Sequence, residues 1–203
     1  MKNPILRTST VVAVLCLAAS TTSARPHLFR SWRANYEPVA GDPPSAEKAA
    51  PSSIPKALEP PPGHVLLFSL RAEGVQIYEC KPTKDNPMQY EWALKAPDAV
   101  LYDDRGNKAG MHYAGPTWEA TDGSKVVAAK KESAAAPDGR AVPWLLLQAK
   151  SHEGTGVFSK VTYIQRVDTW AGMAPAEPAT KDKAGKEVRV KYEATYRFYG
   201  MAP

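Results

Sequence analysis

The most informative part of this 203-residue sequence for its fold is the stretch Val188-Arg189-Val190-Lys191-Tyr192-Glu193-Ala194-Thr195-Tyr196-Arg197-Phe198-Tyr199. Its apolar and polar side chains alternate with a period of two over nearly the whole length. An extended strand places successive side chains on opposite faces, whereas a helix with this pattern would scatter them around its axis. The stretch therefore predicts a long β-strand with one buried and one exposed face.

Several shorter runs of the same character precede this strand. Residues 65–70 and 75–80 flank Ala72-Glu73-Gly74, and this spacing predicts a hairpin. The polar run Asp103-Asp104-Arg105-Gly106-Asn107 predicts a turn, while helix signals are few. Further strands are predicted within residues 90–95, 99–102, 125–129, 144–149 and 157–166. Many short strands separated by Gly and Pro turns indicate an all-β domain, either an antiparallel sandwich or a partly closed barrel.

The N-terminal residues have the pattern of a secretory signal peptide. Lys2 and Arg7 precede an unbroken apolar run over residues 11–19, and small residues follow as far as Ala24. We expect cleavage after Ala24, so that residues 1–24 are removed and the protein is exported to the periplasm or the exterior. Because Leu15 precedes Cys16 where lipoprotein cleavage requires a small residue, we expect Cys16 to be discarded without a lipid.

A proline-rich segment separates the signal from the folded domain. Residues 38–62 contain eight prolines, which remove backbone donors and favour extended chain. The sequence thus predicts a disordered tail and linker over residues 25–62 and a single β domain over residues 63–203. No run after the signal reaches the roughly 18 apolar residues of a membrane-spanning helix.

Charge and cysteine content narrow the function classes. The sequence has 26 Lys+Arg and 21 Asp+Glu, and loss of Lys2 and Arg7 with the signal would leave a net charge of +3. This small, scattered excess argues against a nucleic-acid partner. Cys80 would be the only cysteine left after cleavage, so we expect stability to come from a core and not from an internal disulfide.

Three sequence blocks occur together in one order. They are Gly74-Val75-Gln76-Ile77-Tyr78-Glu79-Cys80, then Gly110-Met111-His112-Tyr113-Ala114-Gly115-Pro116-Thr117-Trp118-Glu119-Ala120-Thr121-Asp122-Gly123-Ser124, then Val142-Pro143-Trp144-Leu145-Leu146-Leu147. With these blocks the chain resembles a family of exported bacterial and fungal proteins classed only as a domain of unknown function. The resemblance covers about residues 63–199. It implies a domain boundary and export, and it implies no activity.

The middle block is the richest in polar and aromatic side chains near glycines, and it supplies the candidate ligand-binding residues: His112, Tyr113, Trp118, Glu119 and Asp122. One hypothesis is that this block is a binding site, in which the aromatic side chains contact a small molecule or a glycan. A second hypothesis is that the protein is an enzyme, in which His112 acts as a general base and a carboxylate orients it. A third reading is structural, because buried histidines and tryptophans commonly pack in β-domain cores.

Of these three readings we favour a non-catalytic binding module of the cell envelope or exterior. The alternatives are a hydrolase or metal-assisted enzyme centred on His112, Glu119 and Asp122, and a structural envelope protein without a ligand. No pair of histidines has the short spacing typical of zinc sites, and no nucleophile motif is present. We therefore expect no metal and no cofactor, and the expected partner is a small molecule or a glycan.

Overall fold

A computed structural model describes residues 53–203, and these residues are almost entirely β-structure. Eight strands follow one another along the chain: β1 His64–Pro82, β2 Tyr90–Tyr102, β3 Lys108–Tyr113, β4 Thr117–Ala120, β5 Lys125–Ala134, β6 Trp144–Glu153, β7 Tyr163–Ala171 and β8 Glu187–Met201. Two 3₁₀ turns, Lys56–Leu58 and Lys181–Lys183, complete the secondary structure. The predicted signal peptide and most of the predicted linker lie outside the described residues.

All neighbouring strands are antiparallel, and the sheet closes on itself. Each strand pairs with the next one in sequence, and β8 pairs with β1, so the eight strands form a closed barrel. The all-β antiparallel fold predicted from the sequence is therefore confirmed. The alternating stretch that predicted it is β8, which buries one face inside the barrel.

The predicted hairpin around Ala72-Glu73-Gly74 is wrong, because these residues continue β1 without a turn. They pair with β2 on one side and β8 on the other. Gly74 is required here for close approach: a Cβ atom at this position would collide with the Asp98 carbonyl oxygen and the Ala99 Cα atom. A glycine inside a strand can mark such close contact between backbones as well as a turn.

The hydrophobic residues form two clusters, one inside the barrel and one on its outer surface. The inner cluster includes Trp118, Tyr196 and Phe198. The outer cluster joins Leu58, which is fully buried, to Trp144 and neighbouring residues of β6 and β7. The Gln165 side chain donates to the Leu58 carbonyl oxygen at 2.5 Å. Leu58 thus packs on the barrel, although it lies within the segment that the sequence assigns to the linker.

One end of the barrel is filled by three phenylalanine rings. Phe158 and Phe198 are fully buried with ring centroids 4.9 Å apart, and Phe68 stacks on Phe198 at 4.9 Å. Phe158 belongs to the loop between β6 and β7. Its backbone N–H donates to the Ser124 hydroxyl at 3.2 Å, and the neighbouring Val157 N–H donates to the Asp122 carboxylate at 2.8 Å. These bonds hold the loop across this end.

Cys80 is buried, and it is the only cysteine among residues 53–203. Its thiol donates to the Thr180 carbonyl oxygen at 3.5 Å. We therefore expect reductant to leave the urea unfolding midpoint of the exported protein unchanged, since no disulfide stabilises the barrel. Cys80→Ser should cost about 1–3 kcal/mol as a polar group placed in an apolar site. A marked loss of stability of the monomeric wild type in reductant would contradict this prediction.

Candidate functional site

A cavity of about 410 Å³ lies in the end of the barrel opposite the three phenylalanines. Its size is within the range of small-molecule sites. It is lined by side chains or backbone from β1 through β8: Gln76, Leu94, Lys95, Ala96, Pro97, His112, Gly115, Pro116, Trp118, Lys130, Leu145, Leu147, Arg166 and Tyr196. Two depressions of similar volume, 450 and 430 Å³, are formed largely by turn and strand-end residues. Neither depression is lined by a residue whose buried polar side-chain atoms lack a hydrogen-bond partner.

Strand register explains why these residues meet inside the barrel. Residues directly opposite each other on neighbouring strands share a face of the sheet. His112 of β3 pairs with Trp118 of β4, and Arg166 of β7 pairs with both Leu145 of β6 and Tyr196 of β8. Each of these pairs therefore faces the same interior. The sequence separates them by up to 84 positions, so only the closed sheet brings them together.

The aromatic wall of the cavity consists of His112, Trp118 and Tyr196. The His112 and Trp118 rings stack with centroids 4.2 Å apart and an interplanar angle of 14°. Tyr196 packs edge-on against both rings, at 5.0 Å and 5.3 Å. All three residues are at most 2% exposed. The orientations of the stacked His112 and Trp118 rings are therefore fixed by packing.

His112 is neutral in this environment. Its Nδ1 donates to the Thr117 carbonyl oxygen at 2.9 Å, which places the proton on Nδ1 and leaves Nε2 as an acceptor. Burial lowers the pKa of His112 from 6.5 to about 3; the bond to Thr117 opposes this shift, and the nearby charge of Arg166 adds to it. An uncharged imidazole with so low a pKa is a weak base near neutral pH.

Arg166 is a buried cation that has no acidic partner among the described residues. Its side chain is only 8% exposed, and its Nε and Nη2 atoms donate to the Pro143 carbonyl oxygen at 3.1 and 2.8 Å. Among residues 53–203, the ion pairs formed by acidic side chains do not include Arg166. Its positive charge nonetheless lowers the pKa of His112 and opposes the burial that raises the pKa of Tyr196.

Several buried polar atoms of this interior have no hydrogen-bond partner among the described residues. They are both amide atoms of Gln76, the indole nitrogen of Trp118 and the hydroxyls of Tyr192 and Tyr196. Tyr196 lies close enough to Arg166 and Tyr192 for these groups to influence its pKa, but the pairs lack normal hydrogen-bond geometry. Each unpaired buried polar group costs about 1–3 kcal/mol. Gln76, Trp118 and Tyr196 all line the cavity.

The mouth of the cavity carries further positive charge. Lys95 and Lys130 line it and are largely exposed. Lys95 is the extra residue of a β-bulge, because Ile77 pairs with Ala96 and Tyr78 with Leu94. Its ammonium group is paired with Glu187 at 2.5 Å, whereas Lys130 forms no ion pair within the part of the chain that the structure describes. No aspartate or glutamate of that part lines the cavity.

The five candidate residues from the sequence do not meet at one place. His112 and Trp118 lie in the cavity wall. Tyr113 and Glu119 lie on the outer face of the barrel, where the Tyr113 hydroxyl donates to the Glu119 carboxylate at 2.7 Å. Asp122 lies in the turn between β4 and β5, where its Oδ1 also accepts hydrogen bonds from the Ser124 backbone and hydroxyl. Glu119 and Asp122 thus do not orient His112.

The sequence did not single out Gln76, Arg166 or Tyr196 as site residues. Tyr196 is one of the apolar positions of the alternating stretch. The pattern therefore predicts that its side chain points into the barrel, but it does not predict which residues surround it. Arg166 stands between Gln165 and Val167, with Asp168 two positions further on, so its sequence context mixes polar and apolar residues and gives no local signal of a buried cation.

The described residues thus define a small closed antiparallel β-barrel with a largely apolar cavity at one end, into which a few buried polar groups project. The chain belongs to the family described as protein of unknown function (DUF3455), whose sequence model matches residues 61–200. The resemblance inferred from the sequence is confirmed at this level. No curated protein and no solved structure matches the chain significantly. Within residues 53–203, no helix has the length and apolar character needed to cross a membrane.

Proposed function

We propose that this protein is a non-catalytic binding protein of the cell envelope or exterior, and that it holds a small molecule in the barrel cavity. The observation that carries the proposal is the set of unpaired polar atoms of Gln76, Trp118 and Tyr196, which face an interior space otherwise lined largely by apolar groups. A core built for stability alone would place apolar side chains there. A ligand that supplies hydrogen-bond partners would offset their cost.

Two further observations favour binding in the cavity over the other readings. Trp118 is 1% exposed, so it offers no open aromatic shelf for a surface glycan. The described residues lining the cavity include no serine, threonine, cysteine, aspartate or glutamate, and these are the usual nucleophiles and carboxylate bases of hydrolases. The residues present can bind and orient a small molecule, which is what a non-catalytic site requires.

A fluorescent apolar probe tests the proposal directly. N-phenyl-1-naphthylamine should bind the exported protein saturably at one site, because Leu145, Leu147 and Trp118 offer an apolar surface. Leu145→Trp should weaken this binding at least tenfold, since Leu145 is only partly buried and a larger side chain there would fill the cavity. Fluorescence titration measures both values.

The matched control is Leu66→Trp, which adds the same bulk at a residue that is 51% exposed and outside the cavity lining. It should bind the probe as the wild type does. Equal binding by the wild type and Leu145→Trp, or no saturable binding by the wild type, would contradict the proposal. Thermal melts of both variants show whether the barrel remains folded.

A further inference from the structure

We infer that the ligand of this cavity is an amphipathic anion whose charged group binds Arg166 and whose apolar body lies against Trp118, Leu145 and Leu147. The inference rests on the proposed function, and it adds the chemical class of the ligand. It depends on the charge of the cavity, on the unused donors around Arg166, and on the apolar side chains that make up much of the lining. Each of these is a property of the described residues.

The guanidinium group of Arg166 has donors to spare. Arginine carries five N–H donors, and the bonds from Nε and Nη2 to Pro143 use two of them. The remaining three make no hydrogen bond with normal geometry to another described residue, although the Tyr196 hydroxyl lies near enough to the guanidinium group for Arg166 to affect its pKa. Guanidinium groups bind carboxylate, sulfonate and phosphate through paired, charge-assisted hydrogen bonds. An anion at this position would therefore find both a charge and a fixed pair of donors.

The charge balance of the cavity excludes a cationic ligand and favours an anionic one. Arg166 is buried, and Lys95 and Lys130 stand at the mouth, while no acidic described residue lines the cavity. A buried charge without a partner is costly in a low-dielectric interior. An incoming anion would relieve that cost. Lys130, which forms no ion pair among the described residues, would raise the local concentration of anions at the mouth, whereas the charge of Lys95 is offset by Glu187.

Neutral donors in the same cavity fit an acceptor-rich head group. The hydroxyl of Tyr196, the amide nitrogen of Gln76 and the indole nitrogen of Trp118 are all buried and unpaired among the described residues. All three can donate a hydrogen bond to an anionic oxygen. The rest of the lining is largely apolar and includes Leu94, Pro97 and Leu147. A purely inorganic anion would leave this apolar surface without a contact.

Two dyes that differ only in charge test the inference. 1-Anilinonaphthalene-8-sulfonate is N-phenyl-1-naphthylamine with one added sulfonate. We expect the exported wild-type protein to bind the sulfonate at least tenfold more tightly than the neutral dye, in equilibrium titrations at fixed ionic strength. Decanoate should displace the bound dye, and decanol should do so at least tenfold less effectively. Inorganic phosphate at the same concentration should not displace it.

Substitutions assign the preference to Arg166. Arg166→Met should remove the preference for the sulfonate and leave the affinity for the neutral dye within about threefold. The matched control is Arg197→Met, which makes the same charge change on the outer face of β8, where Arg197 lies 3.8 Å from Asp168; it should keep the preference. Because Arg166→Met also removes the donors to Pro143, Gln76→Leu serves as a second variant. It should lower the affinity for the sulfonate severalfold without unfolding the barrel.

The outcomes separate the two proposals. Equal, cavity-dependent binding of both dyes would overturn the anionic ligand and leave the proposed function standing. A sulfonate preference that persists in Arg166→Met would likewise overturn the role of Arg166. Displacement by phosphate as strong as that by decanoate would replace the amphipathic ligand with a simple anion. Failure of both dyes to bind the wild type would contradict the proposed function itself.

Discussion

Between pH 6.5 and 5, the free energy of unfolding is expected to fall by about 1.6 kcal/mol because of His112 alone, with a slope that approaches about 1.4 kcal/mol per pH unit as the pH nears 5. Burial holds the pKa of this imidazole at about 3 in the folded protein, against 6.5 for a solvated histidine. Below pH 6.5 the unfolded chain therefore takes up a proton that the folded chain does not. Proton uptake by the unfolded state lowers stability as the pH falls.

The direction and range of this effect distinguish it from ordinary acid unfolding. His112 contributes its full stabilisation above pH 6.5 and loses it progressively down to about pH 3. Hydrogen bonds to Asn107 and Ser124 lower the carboxyl pKa values of Asp103 and Asp122 below 3.8, so these groups remain ionised above pH 5. Among the described groups with a shifted pKa, His112 is the one whose protonation differs between the folded and unfolded states over that range.

Urea unfolding at several pH values and constant ionic strength measures the slope. The control is His112→Gln, which keeps a side-chain N–H donor at this position and carries no titrating group. It should be less stable than the wild type at pH 7, and its stability should change much less between pH 6.5 and 5. The same slope in both proteins would show that His112 is not buried in its neutral form.

Trp118→Ala is expected to lower the free energy of unfolding by about 3–5 kcal/mol, which is the usual cost of removing a large aromatic side chain from a core. Trp118 is 1% exposed, and it contacts His112, Tyr196 and Phe198 through its ring. Its loss would join the cavity to new empty space at the centre of the barrel. Equilibrium unfolding of wild type and variant at pH 7 gives the difference.

The barrel supplies its own control for this substitution. Trp170 is 57% exposed on β7, and Trp170→Ala should change stability by no more than about 0.5 kcal/mol. A loss below about 1 kcal/mol for Trp118→Ala would mean that its ring is accessible to solvent and not part of the core. Comparable losses in the two variants would mean that truncation of any tryptophan affects the fold in the same way.

The alternation of apolar and polar residues made the fold class predictable. Which side chains meet inside the barrel depends on the pairing register of the strands, and the alternation does not give that register. The pattern of β8 gave both its direction and its buried face. The spacing around Ala72 resembled a hairpin because a glycine followed by an apolar run is common to turns and to close strand contacts. Only the position of Gly74 against Asp98 and Ala99 distinguishes the two cases, and that contact joins separate strands.

The sequence predicted those residues of the candidate site that are close to one another in the chain. It did not predict those that are far apart. His112 and Trp118 stood out because one short block contains both. Arg166 and Tyr196 face them only after β7 and β8 have closed the sheet, so no local pattern could place them together. Glu119 is adjacent to Trp118 in sequence, yet it points outward because successive residues of a strand face opposite sides.

The phenylalanines fill one end of the barrel, and the cavity opens toward the other end, where Lys95 and Lys130 lie. Phe158 is held in place by the loop that Asp122 and Ser124 anchor, and among the described residues its ring packs against Phe68 and Phe198 across that end. A molecule in the cavity would leave at the opposite end, past Lys95 and Lys130. If the cavity binds a molecule as proposed, the release of that molecule would therefore not require the loop around Phe158 to move.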